Sequence, residues 1–116
     1  MNLVIDIGNT RVKAALFKEN LLLELKIYNS VSELISDLNF IRKGKNAIIG
    51  SVVDDLDLFY SALNSLIPTS VFTSQTKTPL TNLYYSVNTL GSDRLLAAIG
   101  AYTLYPNTDI LVIDAG

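Results

Sequence analysis

The chain has no cysteine, no histidine and no tryptophan among its 116 residues. Without cysteine there is no disulfide, no thiol nucleophile and no thiolate metal site. Without histidine there is no Ser-His-Asp triad, no imidazole base and almost no route to a zinc centre. Chemistry must then run through carboxylates, hydroxyls, amides, Lys and Arg, with hard cations bound through oxygen. Charge is also scarce, at 17% of residues and a net −2. The nine Lys and Arg are scattered, not gathered into the basic face that phosphate neutralisation needs, so no nucleic-acid partner is expected. No apolar run approaches the ~20 residues that cross a bilayer, so no membrane partner is expected either. The run Leu3-Val4-Ile5 has no basic stretch ahead of it and Asp6 follows at once, unlike a secretory leader. A cytoplasmic location is the expectation.

What is present is apolar: 49% of residues are hydrophobic, which disfavours disorder and suffices for one ordinary core. Leu3 to Ile7 reads as a short strand ending in the turn signal Gly8-Asn9-Thr10. Arg11 to Phe17 alternates as a second strand, Glu19-Asn20 makes a tight turn, and Leu21 to Tyr28 follows as a third. In that third strand Leu21, Leu23, Leu25 and Ile27 share one face. Ser30 and Glu33 form a capping-box pair at the start of a helix that carries Val31, Leu34, Ile35 and Leu38 and ends at Arg42-Lys43-Gly44. Ala47 to Val53 is a strand. Asp54-Asp55-Leu56-Asp57 opens a second helix that runs to about Leu66 and is closed by Pro68, its acids favoured by the helix dipole. A short strand over 70–73 leads to a polar, tyrosine-bearing loop over 74–88. A helix runs from about Gly91 to Tyr105, and a last strand covers 109–114.

The order β-β-β-α-β-α-β-α-β predicts an α/β fold: a mixed sheet with an antiparallel three-strand meander and flanking helices. Leu3-Val4-Ile5-Asp6-Ile7-Gly8 recurs as Leu111-Val112-Ile113-Asp114-Ala115-Gly116, with Ile7 and Ala115 the only differing position. The repeat predicts one domain over 1–106 and, over 107–116, the first strand of a second domain of like topology.

Two segments carry candidate chemistry. Asp6-Ile7-Gly8-Asn9-Thr10 sits on a strand-to-strand turn, where Gly8-Asn9 can supply the positive φ of a tight turn. The same turn can cradle phosphate: Gly8 permits close approach, Asn9 and Thr10 add donors, and Asp6 at the strand end can hold Mg²⁺. Gly91-Ser92-Asp93-Arg94 opens a helix, with Ser92 a plausible N-cap and Asp93 favoured by the dipole. There too a catalytic reading is available. Asp93 can accept the proton of a substrate hydroxyl, and Arg94 can clamp a carboxylate or phosphate through two hydrogen bonds.

These segments, with Ser51-Val52-Val53, Asn82-Leu83-Tyr84, Leu90-Gly91 and Val112-Ile113-Asp114-Ala115-Gly116, occur in an order that resembles type III pantothenate kinases along the whole chain. That family lies in the acetate and sugar kinase/actin superfamily, and some of its members carry the label Bvg accessory factor. The resemblance implies a ribonuclease-H-like, actin-like ATPase domain and ATP-dependent phosphorylation of pantothenate at its 4′-hydroxyl, the first step of coenzyme A synthesis, by a homodimer. It implies ATP phosphate binding by Asp6, Gly8, Asn9, Thr10 and Gly116, and Mg²⁺ at Asp6. It also implies a monovalent cation (K⁺ or NH₄⁺) at Asp114, pantothenate contacts from Tyr84, Gly91 and Arg94, and a catalytic base at Asp93. Asp6 and Asp93 are then expected to face one cleft. Departures from the family pattern are Val87 and Asp54, where proline is usual, and a second phosphate motif that stops at Gly116 without its Thr. On this reading the 116-residue chain by itself is inactive. A non-catalytic actin-like nucleotide-binding module, and a superfamily kinase acting on another small molecule, remain as alternative readings.

Overall fold

The computed structural model describes residues 1–115; Gly116, expected to contribute to ATP phosphate binding, lies outside the described residues. The chain divides into two compact units, Met1–Phe72 and the part from Thr73 onward.

The first unit is a five-stranded sheet in the order β3-β2-β1-β4-β5. Its strands are β1 Asn2–Ile7, β2 Val12–Lys18, β3 Leu21–Tyr28, β4 Asn46–Ser51 and β5 Thr69–Val71. Strands β1, β2 and β3 form the expected antiparallel meander, while β4 lies parallel to β1 and β5 parallel to β4. Parallel pairs need a crossover, and the helices supply it. Helices α1 Val31–Ser36 and α2 Leu38–Ile41 connect β3 to β4, and α3 Asp57–Leu66 connects β4 to β5.

Alternation along β1 selects the core. Leu3, Ile5 and Ile7 are buried, and their cross-strand partners Leu16, Ala14, Val12, Ala47 and Ile49 bury the same face. Against it pack Leu34, Phe40 and Ile41 of α1 and α2, and Phe59 and Leu63 of α3. Each fully buried large side chain is worth about 1.5–3 kcal/mol relative to exposure. The start of α1 is built as expected: Ser30 Oγ accepts the Glu33 N–H at 3.2 Å. Glu33 returns its carboxylate to the Asn29 N–H at 2.8 Å, one residue before the cap.

Strand β3 is inverted relative to its neighbours. Glu24, Lys26 and Tyr28 pair with Leu16, Ala14 and Val12 and so share the helix-covered face. Leu25 and Ile27 fall on the opposite face and stay 52% and 54% exposed. The polar side is matched by Asp37. Its carboxylate accepts from Lys26 Nζ at 2.7 Å and from the Tyr28 hydroxyl at 3.0 Å, and its other oxygen accepts the Phe40 N–H at 3.2 Å. Lys43 Nζ reaches Glu24 at 2.6 Å. Asp37, at φ −87° and ψ 65°, leaves the helical region, so the single helix expected from Val31 to the Arg42 region is two short ones. The break occurs because Asp37 both ties down β3 and caps α2.

The second unit holds a 3₁₀ turn, Val87–Thr89, and one long helix, α4 Ser92–Leu104. The strand expected over 109–114 does not form: among the described residues, 105–115 carry no helix or strand. An apolar stretch becomes a strand only through ladder bonds to a neighbour, and no described strand pairs with this one.

Two outcomes follow from these local features. At the β2–β3 turn Glu19 has φ 54°, a left-handed conformation that costs a non-glycine residue about 1–2 kcal/mol. Glu19→Gly should therefore raise the stability of the protein by about 0.5–1 kcal/mol, after allowing for the extra backbone entropy of glycine, read as a higher urea midpoint at unchanged m. Asp37 titrates below the ordinary carboxylate range. The Lys26 hydrogen bond is the main cause, partial desolvation opposes it, and the bonds from Tyr28 and the Phe40 N–H reinforce it. A lowered carboxyl pKa stabilises the fold above the unfolded value of about 4, and that stabilisation is lost as pH falls through the folded value. Asp37→Asn should melt lower at neutral pH and show a shallower loss of melting temperature below pH ~4. Parallel curves for the two proteins across that range would show that Asp37 is not the linked group.

Candidate active site

The turn between β1 and β2 is closed by one backbone bond, from the Gly8 N–H to the Arg11 carbonyl at 3.0 Å. Neither Gly8 nor Asn9 has positive φ, so the expected left-handed turn is not what glycine supplies here. Gly8 permits a close approach instead: a Cβ at this position would sit 3.3 Å from the Arg11 carbonyl oxygen. Since the Gly8 N–H is engaged in closing the turn, the donors left for a ligand belong to Asn9 and Thr10. Both residues are exposed, and among the described residues their backbone N–H groups have no acceptor.

Behind this turn lies a recess of about 210 Å³, lined by Gly8 to Val12, the Asn29-Ser30-Val31 entrance to α1, and Val53, Asp55, Leu56 and Phe59. Asp6 does not line it. The alternation of β1 sends Asp6 to the sheet face away from the helices, directly across from Lys13 on β2. Asp6 and Lys13 pair at 3.9 Å with both side chains more than half exposed, an ion pair of about 0–1 kcal/mol that an incoming cation can replace.

In the second unit the loop before α4 is shaped by local bonds. Asn82 Oδ1 accepts the Tyr84 N–H at 3.0 Å, an Asx turn that fixes the backbone at Tyr84. The Tyr84 ring lies 5.1 Å from that of Tyr85, tilted by 34°, and both rings remain exposed. The contribution of Asn82 was legible as an asparagine two residues before the tyrosine, although sequence reasoning did not count it among the site residues.

The cap of helix α4 lies one residue earlier than expected. Gly91 is the N-cap and Ser92 the first helical residue. With no side chain at the cap, the Asp93 carboxylate takes over part of the capping, its Oδ1 accepting the Arg94 N–H at 2.8 Å. Asp93 and Arg94 are both exposed in the first turn. They stand side by side at a helix N-terminus, where free N–H groups favour negative charge.

Arg94 also lines a second recess of about 440 Å³, with Asn82, Leu83, Leu90, Ala98 and Asp114 among the other walls. Its mostly apolar lining with a few polar groups suits a small organic ligand. Arg94 and Asp114 are thus brought to one recess, while Tyr84, Gly91 and Asp93 do not line it. Its apolar walls were not anticipated from sequence, because Leu80, Leu83 and Leu90 sit in a loop with no periodicity to mark a common face.

A sequence model described as Type III pantothenate kinase matches residues 2–116. Curated type III pantothenate kinases are similar over the whole of this chain: that of Bacteroides fragilis at 41% identity, that of Phocaeicola vulgatus at 37% and that of Flavobacterium psychrophilum at 33%. In each case the alignment covers 49% of the relative. The chain therefore spans about half the length of the curated relatives it matches.

Proposed function

This chain belongs to the type III pantothenate kinase family, and on that premise we propose that it forms the N-terminal half of an enzyme that transfers a phosphoryl group from ATP to the 4′-hydroxyl of pantothenate. The observation that carries the reading is the placement of Asp93 and Arg94 as neighbours in the first turn of α4, the Asp93 carboxylate held on the Arg94 backbone N–H, within a chain matched by the family over nearly its full length. The mixed sheet with its meander accords with the actin-like ATPase fold of that family. Residues 107–116 then open the second domain, whose remaining strands would complete a sheet with the 109–114 stretch.

In this reading Asn9 and Thr10 donate to the ATP phosphates and Gly8 keeps the turn tight beneath them. Asp93 accepts the proton of the pantothenate hydroxyl, Arg94 holds the carboxylate of the substrate, and Tyr84 and Gly91 contact the substrate from the adjoining loop. Gly116 contributes to the second phosphate motif. Phosphoryl transfer depends chiefly on positioning and electrostatics, which a carboxylate held on the helix start and a neighbouring arginine can supply.

Asp6 suits Mg²⁺. The described residues contain no cluster of three acidic, His or Cys groups that could hold a metal by themselves. Magnesium in kinases, however, is commonly held by one or two carboxylates together with substrate phosphates, and Asp6 is exposed and only weakly paired. When bound, the ion neutralises charge on the phosphates. Asp114 offers the carboxylate oxygen that a monovalent cation such as K⁺ or NH₄⁺ would take. No helix among the described residues is long and apolar enough to cross a membrane. A cytoplasmic homodimer completes the proposal, carried by the family resemblance.

Two variants of the full-length enzyme test the assignment. Asp93→Asn keeps the size and the capping oxygen, so its stability should stay within about 1 kcal/mol of the parent. Its kcat should nonetheless fall by about 10²–10⁴-fold with little change in ATP affinity, the usual scale of general-base assistance. Near-normal kcat would reduce Asp93 to a helix cap and remove its catalytic role. Asp6→Asn should raise the Mg²⁺ concentration needed for half-maximal rate and recover part of its activity in excess Mg²⁺, because one oxygen ligand is lost. A defect indifferent to Mg²⁺ would place Asp6 outside the metal site.

A further inference from the structure

Gly91 has φ −57° and ψ 138°, an extended conformation open to any L-residue, so its backbone does not require glycine. What excludes a side chain is one neighbour. A Cβ built on Gly91 would fall on Asp93 Oδ1, well inside van der Waals contact, and its only other neighbour within 4 Å is Asp93 Cγ. That same Oδ1 accepts the Arg94 N–H. The Asp93 carboxylate therefore lies in the space that a side chain at residue 91 would occupy, folded back over the first turn of α4.

We propose that Gly91 is a positioning residue for the Asp93 carboxylate: its missing side chain is what lets the carboxylate fold back onto the Arg94 N–H and stay there. The inference rests on the reading of Asp93 as the base and deepens it, giving Gly91 a role through Asp93 distinct from direct substrate contact. Any residue with a Cβ forces a response. The cheapest one is rotation of Asp93, because Oδ1 is the free end of a short side chain while the helix backbone is fixed by bonds such as Leu95 N–H to the Gly91 carbonyl, 3.3 Å. Rotation takes the carboxylate off the Arg94 N–H. The helix itself survives, since serine and alanine both adopt the Gly91 backbone conformation.

Serine makes the decisive substitution, because it is a favourable N-cap and still carries a Cβ. A purely structural glycine and a positioning glycine thus forecast opposite results. In the full-length enzyme, Gly91→Ser should melt at the parental temperature or above it. Its kcat should fall by roughly 10–100-fold, the scale of an ångström-sized misplacement, while KM for ATP stays within about twofold. Gly91→Ala should show the same loss of kcat without the added cap. The double variant Gly91→Ser/Asp93→Asn should be no slower than Asp93→Asn alone, since the carboxylate to be positioned is already gone.

Wild-type kcat in Gly91→Ser, with Asp93→Asn impaired, would overturn the positioning role and leave the catalytic reading intact. Losses that multiply in the double variant, or a raised KM for pantothenate at unchanged kcat, would assign Gly91 to the substrate directly and overturn it equally. Unimpaired Asp93→Asn would instead defeat the underlying reading of the site.

Discussion

The two-residue period of β1 is the constraint on which the first unit depends. Leu3, Ile5 and Ile7 must face the helices, because they and their partners on β2 and β4 make the core. Once that face is set, Asp6 has no choice. It projects from the opposite face, next to last in the strand, with Lys13 across from it. The turn from Gly8 to Arg11 then falls at the end of the central pair of strands, closed by a single backbone bond. A one-residue slip in register would move Asp6 into the core and Ile5 into water, so the position of the candidate metal ligand is secured by hydrophobic burial and not by any bond of its own.

A second, polar constraint joins the far edge of the sheet to the helical layer. Strand β3 turns Glu24, Lys26 and Tyr28 toward the helices, which would leave three polar groups against an apolar layer were they unpaired. Asp37 meets two of them and Lys43 the third. The Tyr28 hydroxyl is held protonated well beyond its ordinary range, first by desolvation and then by its bond to Asp37. The cost is an interrupted helix, and Asp37 offsets it by capping the second piece. Lys26 and Lys43 also approach the Phe40 ring, at 4.8 and 5.8 Å from its centroid, so the cluster extends onto the buried aromatic.

Around the candidate site the structure favours residues that make room over residues that make contacts. Gly8 admits the Arg11 carbonyl, and Gly91 admits the Asp93 carboxylate. In both places the missing side chain lets an oxygen settle on a backbone N–H: the Arg11 oxygen on that of Gly8, the Asp93 oxygen on that of Arg94. The two candidate segments therefore share a construction, although one is a strand turn and the other a helix start.

Much of this was legible in the sequence, because it depends on local chemistry and short-range periodicity. The alternation in β1 and β2, the Ser30–Glu33 cap, the aspartate-led start of α3 and the motifs Asp6–Thr10 and Gly91–Arg94 all declare themselves within a few residues, and the family follows from their order. Tertiary structure alone decided the rest. The apolar row of β3 reads as one face of a strand, yet only pairing with β2 decides that this face turns outward and that Lys26 and Tyr28 reach Asp37. The amphipathic stretch after Ser30 reads as one helix, yet those same long-range bonds break it at Asp37. The apolar run near Leu111 reads as a strand, yet a strand is a relation between two segments, and no described strand runs alongside it. From sequence the resemblance implies glycine at 91 as a substrate contact, and only the three-dimensional position of the Asp93 oxygen shows which atom needs the space. Periodicity and capping are encoded along the chain, whereas strand facing, helix breaks and the fit of a carboxylate depend on neighbours distant in sequence or on rotamers that only packing selects.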